Sequence, residues 1–258
     1  MKTNLIAGVI IALITLQSCK KKETIEEEKP PMKLLTRVIT ASQAGAVFEY
    51  YTYDDKHRLK THKSGTSVTT YNYSNDDLVT IEETSSVSGP LSKYDLTYNS
   101  GKIIQAAGKQ NNKQQTYGYV YIGNDLSEIH VKEDGVVVAK LTYTIVNHNI
   151  TKIVKEYPGA TYITENTYGT HKNMFFNARI SQINGIEELL GSDSYDKYSV
   201  NDLLESKLTF PDGNIVKTVN TYTYDEDGLP LTLSSAQTLS TAPNTFVGKY
   251  TFEYELVK

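Results

Sequence analysis

Tryptophan is absent and cysteine occurs once, at Cys19, so an intrachain disulfide is excluded and the fold must rest on its secondary structure and core alone. A stripe of one charge is also missing. Formal net charge is −4 and Lys and Arg are scattered, which excludes the electrostatic footprint of a nucleic-acid-binding surface. No apolar run is long enough to cross a bilayer as a helix: Leu5 to Leu16 spans about a dozen residues, against a hydrocarbon core of roughly 30 Å. Gly-x-Ser-x-Gly elbows, phosphate-cradling loops and dinucleotide fingerprints do not occur. Tyrosine is what the chain has in abundance, 20 residues beside 6 Phe. Its ring packs while its hydroxyl reaches water or a partner, so it suits half-buried strands.

Lys2 followed by the apolar run to Leu16 reads as the basic and hydrophobic regions of a secretory signal. Leu16-Gln17-Ser18-Cys19 resembles the lipobox of bacterial lipoproteins. The resemblance implies diacylglycerol on the Cys19 sulfur, cleavage between Ser18 and Cys19, and acylation of the new amine, for example with palmitate. The alternative is an ordinary cleaved signal with a chance cysteine. Each buried CH₂ would add about 0.8 kcal/mol to membrane retention, so the membrane is an expected partner through lipid rather than through a spanning segment. Lys20 to Pro31 lacks apolar periodicity and ends in a Pro pair, as a solvated tether does. The expected organisation is a signal peptide at 1–18, an acylated cysteine and tether at 19–32, and a single domain at 33–258. The expected address is the cell envelope, the outer membrane ahead of the inner, with periplasmic side and cell surface both open.

In the domain one unit recurs, clearest at Tyr222-Thr223-Tyr224-Asp225-Glu226-Asp227-Gly228-Leu229. Two tyrosines at i and i+2 precede a polar turn, and an aliphatic residue opens the next run. Other copies are Tyr51/Tyr53 with Leu59, Tyr71/Tyr73 with Leu78, and Tyr119/Tyr121 with Leu126. Looser ones are Leu96/Tyr98 with Ile103 and Leu141/Tyr143 with Ile150. A repeat of about 20 to 30 residues is that of a supersecondary unit. Alternation puts both rings of a pair on one side of their strand, with Phe48, Tyr50 and Thr52 on the other side from Val47, Tyr51 and Tyr53. Asn, Asp and Gly in the connectors tolerate the positive φ of tight hairpins, and strands joined only by such short links must be antiparallel. The expected fold is all-β: an antiparallel up-and-down meander forming one large, strongly curved sheet or open barrel, its tyrosines laddered across it. Ile183, Ile186, Leu189 and Leu190, spaced by three and four, predict one short helix near 181–190, stopped by Gly191 and capping one end of the sheet.

The Tyr-x-Tyr-Asp-x-x-Gly-x-Leu form at Tyr222 to Leu229 resembles the tyrosine–aspartate repeats of Rhs-type shell proteins; Tyr51 to Leu59 is similar but lacks the glycine. Over the whole mature chain the sequence resembles the Bacteroidetes lipoprotein domain of unknown function 4595. That likeness rests on the lipobox, the successive Tyr-x-Tyr hairpins and the segment Tyr168 to Phe175, where Met174 stands at the place of a proline. It implies a porin-like fold and an envelope address, and no activity.

Chemistry is sparsely marked. His57, His62, His130, His148 and His171 show neither the His-x-His of a strand metal site nor the i, i+4 spacing of a helical one, so no metal or other cofactor is expected. Asp225-x-Asp227-Gly228 has two calcium-loop positions without the rest of such a loop, and reads as a hairpin turn. Glu82-Glu83 and Glu187-Glu188 are acid–base candidates whose adjacency points them in different directions. No catalytic residue emerges, so the expectation is a non-enzymatic binding or structural protein, with a glycan or an envelope protein as partner. The binding reading predicts a run of exposed Tyr rings along a concave face. One alternative is a carrier of lipid or another apolar ligand in the curve of the sheet, which predicts an apolar, partly empty interior. The other is a hydrolase, which needs converging titratable groups.

Overall fold

The computed structural model describes residues 32–42, 45–110, 113–177 and 199–257. The first eight strands are β1 (Met32–Ser42), β2 (Gly45–Tyr53), β3 (Leu59–Ser64), β4 (Ser67–Ser74), β5 (Asp77–Ser85), β6 (Gly89–Asn99), β7 (Lys102–Gln110) and β8 (Lys113–Ile122). The second eight are β9 (Asp125–Glu133), β10 (Val136–Val146), β11 (Asn149–Tyr157), β12 (Ala160–Lys172), β13 (Asn201–Thr209), β14 (Ile215–Tyr224), β15 (Pro230–Leu239) and β16 (Ala242–Val257). Every strand pairs antiparallel with its neighbours in sequence, and β1 pairs with β16, so the meander closes into a barrel. Of the two expected forms, curved sheet or open barrel, the sheet goes one step further. Its two edges meet from Met32↔Val257 to Ala41↔Lys249, which removes the open edges that a sixteen-stranded sheet would otherwise expose. The helix expected near 181–190 lies outside the described residues.

The turns sort by end. Those that follow the tyrosines share the proximal end with Met32 and Val257; the distal end carries the turns at Gly65, Gly135, Gly159 and Gly213. Asn75 (φ 55°) and Asn147 (φ 51°) take the left-handed backbone that tight hairpins need. The aspartate after a tyrosine pair serves the turn itself. Asp54 accepts the N–H of Lys56 and Arg58 (2.9 Å each), as Asp225 accepts those of Asp227 and Leu229 (3.0 and 2.9 Å). Asp225 also pairs with Lys33 at 2.8 Å. Burial pushes the Asp225 carboxyl up, but Lys33 and these backbone donors outweigh it and hold the group below the usual carboxylate range. The turn reading of this motif is thereby accounted for atom by atom.

The expected aromatic ladder is built differently. The paired rings do face inward together, but they link strand to strand through their hydroxyls. Tyr53 donates to the carbonyl of Leu35 (2.7 Å), Tyr73 to Leu59 (2.9 Å) and Tyr98 to Leu78 (2.8 Å). Tyr168 donates to Ile150 (2.8 Å), Tyr222 to Leu203 (3.0 Å) and Tyr254 to Pro230 (2.8 Å). Each acceptor stands at a register shift, where a bulge takes backbone groups out of the ladder. The links interlock: Leu59 faces Tyr53 and is capped by Tyr73, while Leu78 faces Tyr73 and is capped by Tyr98. Leu35, which faces Tyr254 across the closing seam, is capped by Tyr53. The repeat of tyrosine pair and aliphatic residue is therefore a bulge and the hydroxyl that caps its neighbour. Tyr98→Phe should cost about 1–3 kcal/mol, because it leaves the Leu78 carbonyl buried and unpaired, whereas Tyr157→Phe at an exposed ring should change stability by less than about 0.5 kcal/mol. Equal urea midpoints for the two variants would refute the latch.

The core lines much of the lumen, with Leu34, Leu35 and Val38 on β1, Leu233 on β15 and Phe252 on β16 among its buried residues. Tyr51, Tyr71, Tyr94, Tyr117 and Tyr119 pack with Leu59, Leu78, Ile81, Ile129 and Leu141 on the inner faces of β2 to β10. Met174 and Phe175, in the turn after β12, join this core, with Phe175 edge-on to Tyr51 at 5.3 Å.

Candidate functional site

The outer wall comes first, because it decides what the barrel faces. Ile81 and Tyr94 pair inside, so Glu82 and Lys93 pair outside, 2.6 Å apart. By the same alternation Glu128 meets Lys140 and His130 at 2.8 Å each, and Arg37 meets Glu253 at 2.5 Å. Lys207–Glu165 (3.3 Å) and Lys217–Glu205 (2.9 Å) continue the series across β12 to β14. Such exposed pairs stabilise little. Their placement matters more: a membrane-spanning barrel carries an apolar band about 25 Å tall, and Lys or Arg at its middle costs about 2–4 kcal/mol each. With charges at mid-strand in several sectors, those parts of the outer wall are built for water; Phe48, Tyr50, Val219 and Val247 are exposed on the same face between them.

The inner wall has two unlike arcs. From β2 to β10 it is packed at the proximal side and carries a polar belt above. In that belt Glu49 accepts the Tyr51 hydroxyl (2.7 Å) and lies 3.1 Å from His62 Nε2, and the His62 ring stacks on Tyr51 at 4.7 Å. A histidine–carboxylate pair is half of a general-base arrangement. Here both members are tied to Tyr51 and set into the wall. Further along, Gln115 Oε1 accepts the hydroxyls of Tyr94 (2.9 Å) and Tyr117.

From β11 to β16 the inner side chains are mostly half-buried, and their chemistry is ordered by register. At the distal mouth Tyr162 meets Tyr157 (5.8 Å) and Phe210 (5.7 Å) edge-on, and Leu239 and Phe246 are exposed, the latter by 64%. One row inward, Thr164, Leu208, Val216 and Leu239 pair across β12 to β15. The next row is Asn166, Ser206, Thr218 and Gln237, ending at Phe246. Beneath it, Asn220 faces Ser235. Asn166 donates from Nδ2 to the Ile150 carbonyl (3.0 Å) and Asn220 from Nδ2 to that of Leu203 (2.8 Å), the same carbonyls that Tyr168 and Tyr222 cap. Those bonds orient both amides and leave both Oδ1 atoms buried without a hydrogen-bond partner.

The residues singled out from sequence scatter over this frame. Ser18 and Cys19 lie outside the described residues, as do Glu187 and Glu188. His57 and His148 sit in turns with φ of 62°, and His130 is on the outer wall. His171, at the end of β12, stacks on Tyr224 at 3.8 Å, while buried Asp202 accepts the Tyr224 hydroxyl (2.5 Å) and the His171 N–H (3.0 Å). Burial, then Asp202, raise the Tyr224 hydroxyl well above its ordinary value, so it stays a neutral donor. Glu82 and Glu83 point to opposite sides, as expected. Among the described residues no group of three metal-binding side chains converges. The expected run of exposed tyrosines on the concave face is not found, because the paired rings are buried or half-buried. The apolar, partly empty interior expected of a carrier meets polar groups inside, among them Glu49, His62, Gln115, Thr218 and Gln237. Sequence reasoning missed the Glu49–His62 pair, for which thirteen residues of separation carry no signal. The two orphaned amides did leave one: Asn-Thr-Tyr occurs at Asn166 to Tyr168 and again at Asn220 to Tyr222.

No protein-family model matches the chain, and no curated protein does. Solved structures do. A porin-like protein from Bacteroides uniformis superposes with a TM-score of 0.58 at 14% identity, covering 88% of this chain and 98% of that one. A porin-like protein from Bacteroides vulgatus gives 0.54 at 11%, covering 87% and 99%. The fold is porin-like; the family resemblances read from the repeat and the lipobox are not reached by these matches.

Proposed function

We propose that this is a non-enzymatic binding protein of the cell envelope, held to the membrane by lipid on Cys19, that takes its ligand into the open arc of the lumen from the distal mouth. One observation carries the reading: the outer wall carries ion pairs at mid-strand in several sectors, whereas the inner faces of β11 to β16 present half-buried and exposed apolar and polar groups, with Lys155 beside Tyr162. Binding sites concentrate apolar surface with a few convergent polar groups in a concavity, which is the composition of this arc and of no other accessible surface described above. A second reading, a carrier for apolar molecules, draws on the exposure of Leu239 and Phe246.

The test uses full-length chain recovered from its own envelope. Labelled palmitate should enter the wild type and not Cys19→Ala. Native mass spectrometry should find a bound small molecule on the wild type that a Leu239→Glu/Phe246→Glu variant lacks, since charge at the mouth opposes entry. Equal loading of both proteins, or none on either, would rule out binding through the mouth.

A further inference from the structure

Resting on that reading, we infer that the site takes a neutral, polyhydroxylated ligand, a saccharide chain, with its sugar rings against Tyr162 and Phe210 and its hydroxyls on the Asn166–Ser206–Thr218–Gln237 row. The chemistry of this wall matches that of a sugar. An accessible row of two amides and two hydroxyls runs unbroken across β12, β13, β14 and β15, a result of register alone. These groups can both donate and accept, as sugar hydroxyls do. Directly beside the row lie Leu208 and Val216; Phe246 stands at its β15 end, and the Tyr162–Phe210 pair stands two rows nearer the distal mouth. A sugar ring has the same division, with an apolar C–H face and a polar rim.

Charge narrows the class. Among the described residues, no side chain of the row or of the Thr164–Leu208–Val216–Leu239 row beside it is charged: Glu165, Glu205, Lys207 and Lys217 are paired on the outside, Asp202 is buried against Tyr224, and Lys155 faces Tyr162 from β11, nearer the mouth. An acidic group seated on the row would have no counter-charge within it, which burial makes costly.

A hydrocarbon chain fits worse. Lying along the row, it would strip water from Ser206, Thr218 and Gln237 and give nothing back, and the loss from three unpaired groups offsets the gain from several buried methylenes. Asn166 contributes least, since its Nδ2 is spent on the Ile150 carbonyl and its Oδ1 is buried, so Ser206, Thr218 and Gln237 carry the hydroxyl contacts. Sites built to bond hydroxyls reject analogues that lack them far more strongly than apolar pockets reject an added methylene.

The deciding experiment makes the wall more apolar without changing its shape. Full-length wild type and Thr218→Val/Gln237→Leu are compared on an array of neutral and acidic oligosaccharides, with calorimetry on the best binder and cis-parinaric acid as an acyl-chain probe. Both residues lie outside the tyrosine latches, and a thermal melt confirms that the variant is folded. At least one neutral oligosaccharide should bind the wild type, and the variant should lose about tenfold or more in affinity, the effect of two lost hydrogen bonds. Tyr162→Ala should lose a similar factor through the missing ring. Parinarate bound by the wild type, and more tightly by the variant, would overturn the saccharide assignment while leaving a binding lumen in place. Binding of acidic glycans alone would overturn neutrality, and wild type that binds no array member would overturn the inference altogether. The mouth-variant experiment above decides the broader reading independently of these results.

Discussion

Raising the pH above 10 is expected to unfold the barrel cooperatively, over little more than one or two pH units. Burial lifts the hydroxyls of Tyr53, Tyr119 and Tyr254 far above their ordinary value of 10, and that of Tyr98 to about 12. A tyrosine in the unfolded chain loses its proton near pH 10, whereas in the barrel it keeps it. Below pH 10 both states hold the proton, and the contribution of these groups to stability is complete. Above it the folded state holds more protons than the unfolded one, so stability falls with rising pH until the folded hydroxyls themselves ionise. Each such group removes about 1.4 kcal/mol per pH unit. Tyr53, Tyr119 and Tyr254 alone then remove roughly 4 kcal/mol per unit, so two units remove about 8 kcal/mol, within the 5–15 kcal/mol of an ordinary domain. Tyrosinate absorbance near 295 nm should therefore rise in step with the loss of β-sheet circular dichroism. A broad titration centred at pH 10, with the sheet signal intact at pH 12, would show that these hydroxyls are not closed off from water.

Gly108→Ala should be the most damaging single substitution in a strand. Gly108 faces Tyr94 across β6 and β7, and a Cβ there would lie 2.0 Å from the Lys93 carbonyl oxygen and 2.6 Å from Tyr94 Cδ1. Neither neighbour can retreat. The first is ladder backbone. The second is a fully buried ring, held edge-on to Tyr117 at 5.6 Å and by its hydroxyl to Gln115. Overpacking of this kind costs about 3 kcal/mol or more, a fall of roughly 6–12 °C in melting temperature for a domain of this size. Gly118→Ala is the matched control. It lies one strand away, on the outward face, where an added Cβ meets nothing within 4 Å, and the change should stay within about 0.5 kcal/mol. If the two variants melt within a degree or two of each other, the Tyr94 ring is not seated against the Gly108 backbone.

Much of this architecture was legible before any coordinates. Tyr51 and Tyr53 alternate with Thr52, which dictates that both rings share a side; Asp54 and Asp225 before their turns dictate tight hairpins; and short hairpins in unbroken succession dictate an antiparallel meander. The spacing of tyrosine pair and following aliphatic residue also already contained the bulge. What the bulge was for could not be read, because the hydroxyl that caps it comes from the next unit, 14 to 24 residues away. The candidate site was still less visible. Asn166, Ser206, Thr218 and Gln237 are ordinary polar residues in sequence, and only strand register sets them side by side.

By itself, then, the order of residues determined which positions are strands, which faces of them are alike and where they turn, since alternation and turn chemistry act over a few neighbours. Tertiary structure decided the rest. Pairing of β1 with β16 turned a sheet into a barrel and gave identical alternation two meanings, a water-facing wall of ion pairs and a lumen. Which arc of that lumen is packed and which is open depends on how side chains from opposite strands meet across it, and contacts between residues tens of positions apart are settled only when the ring is closed.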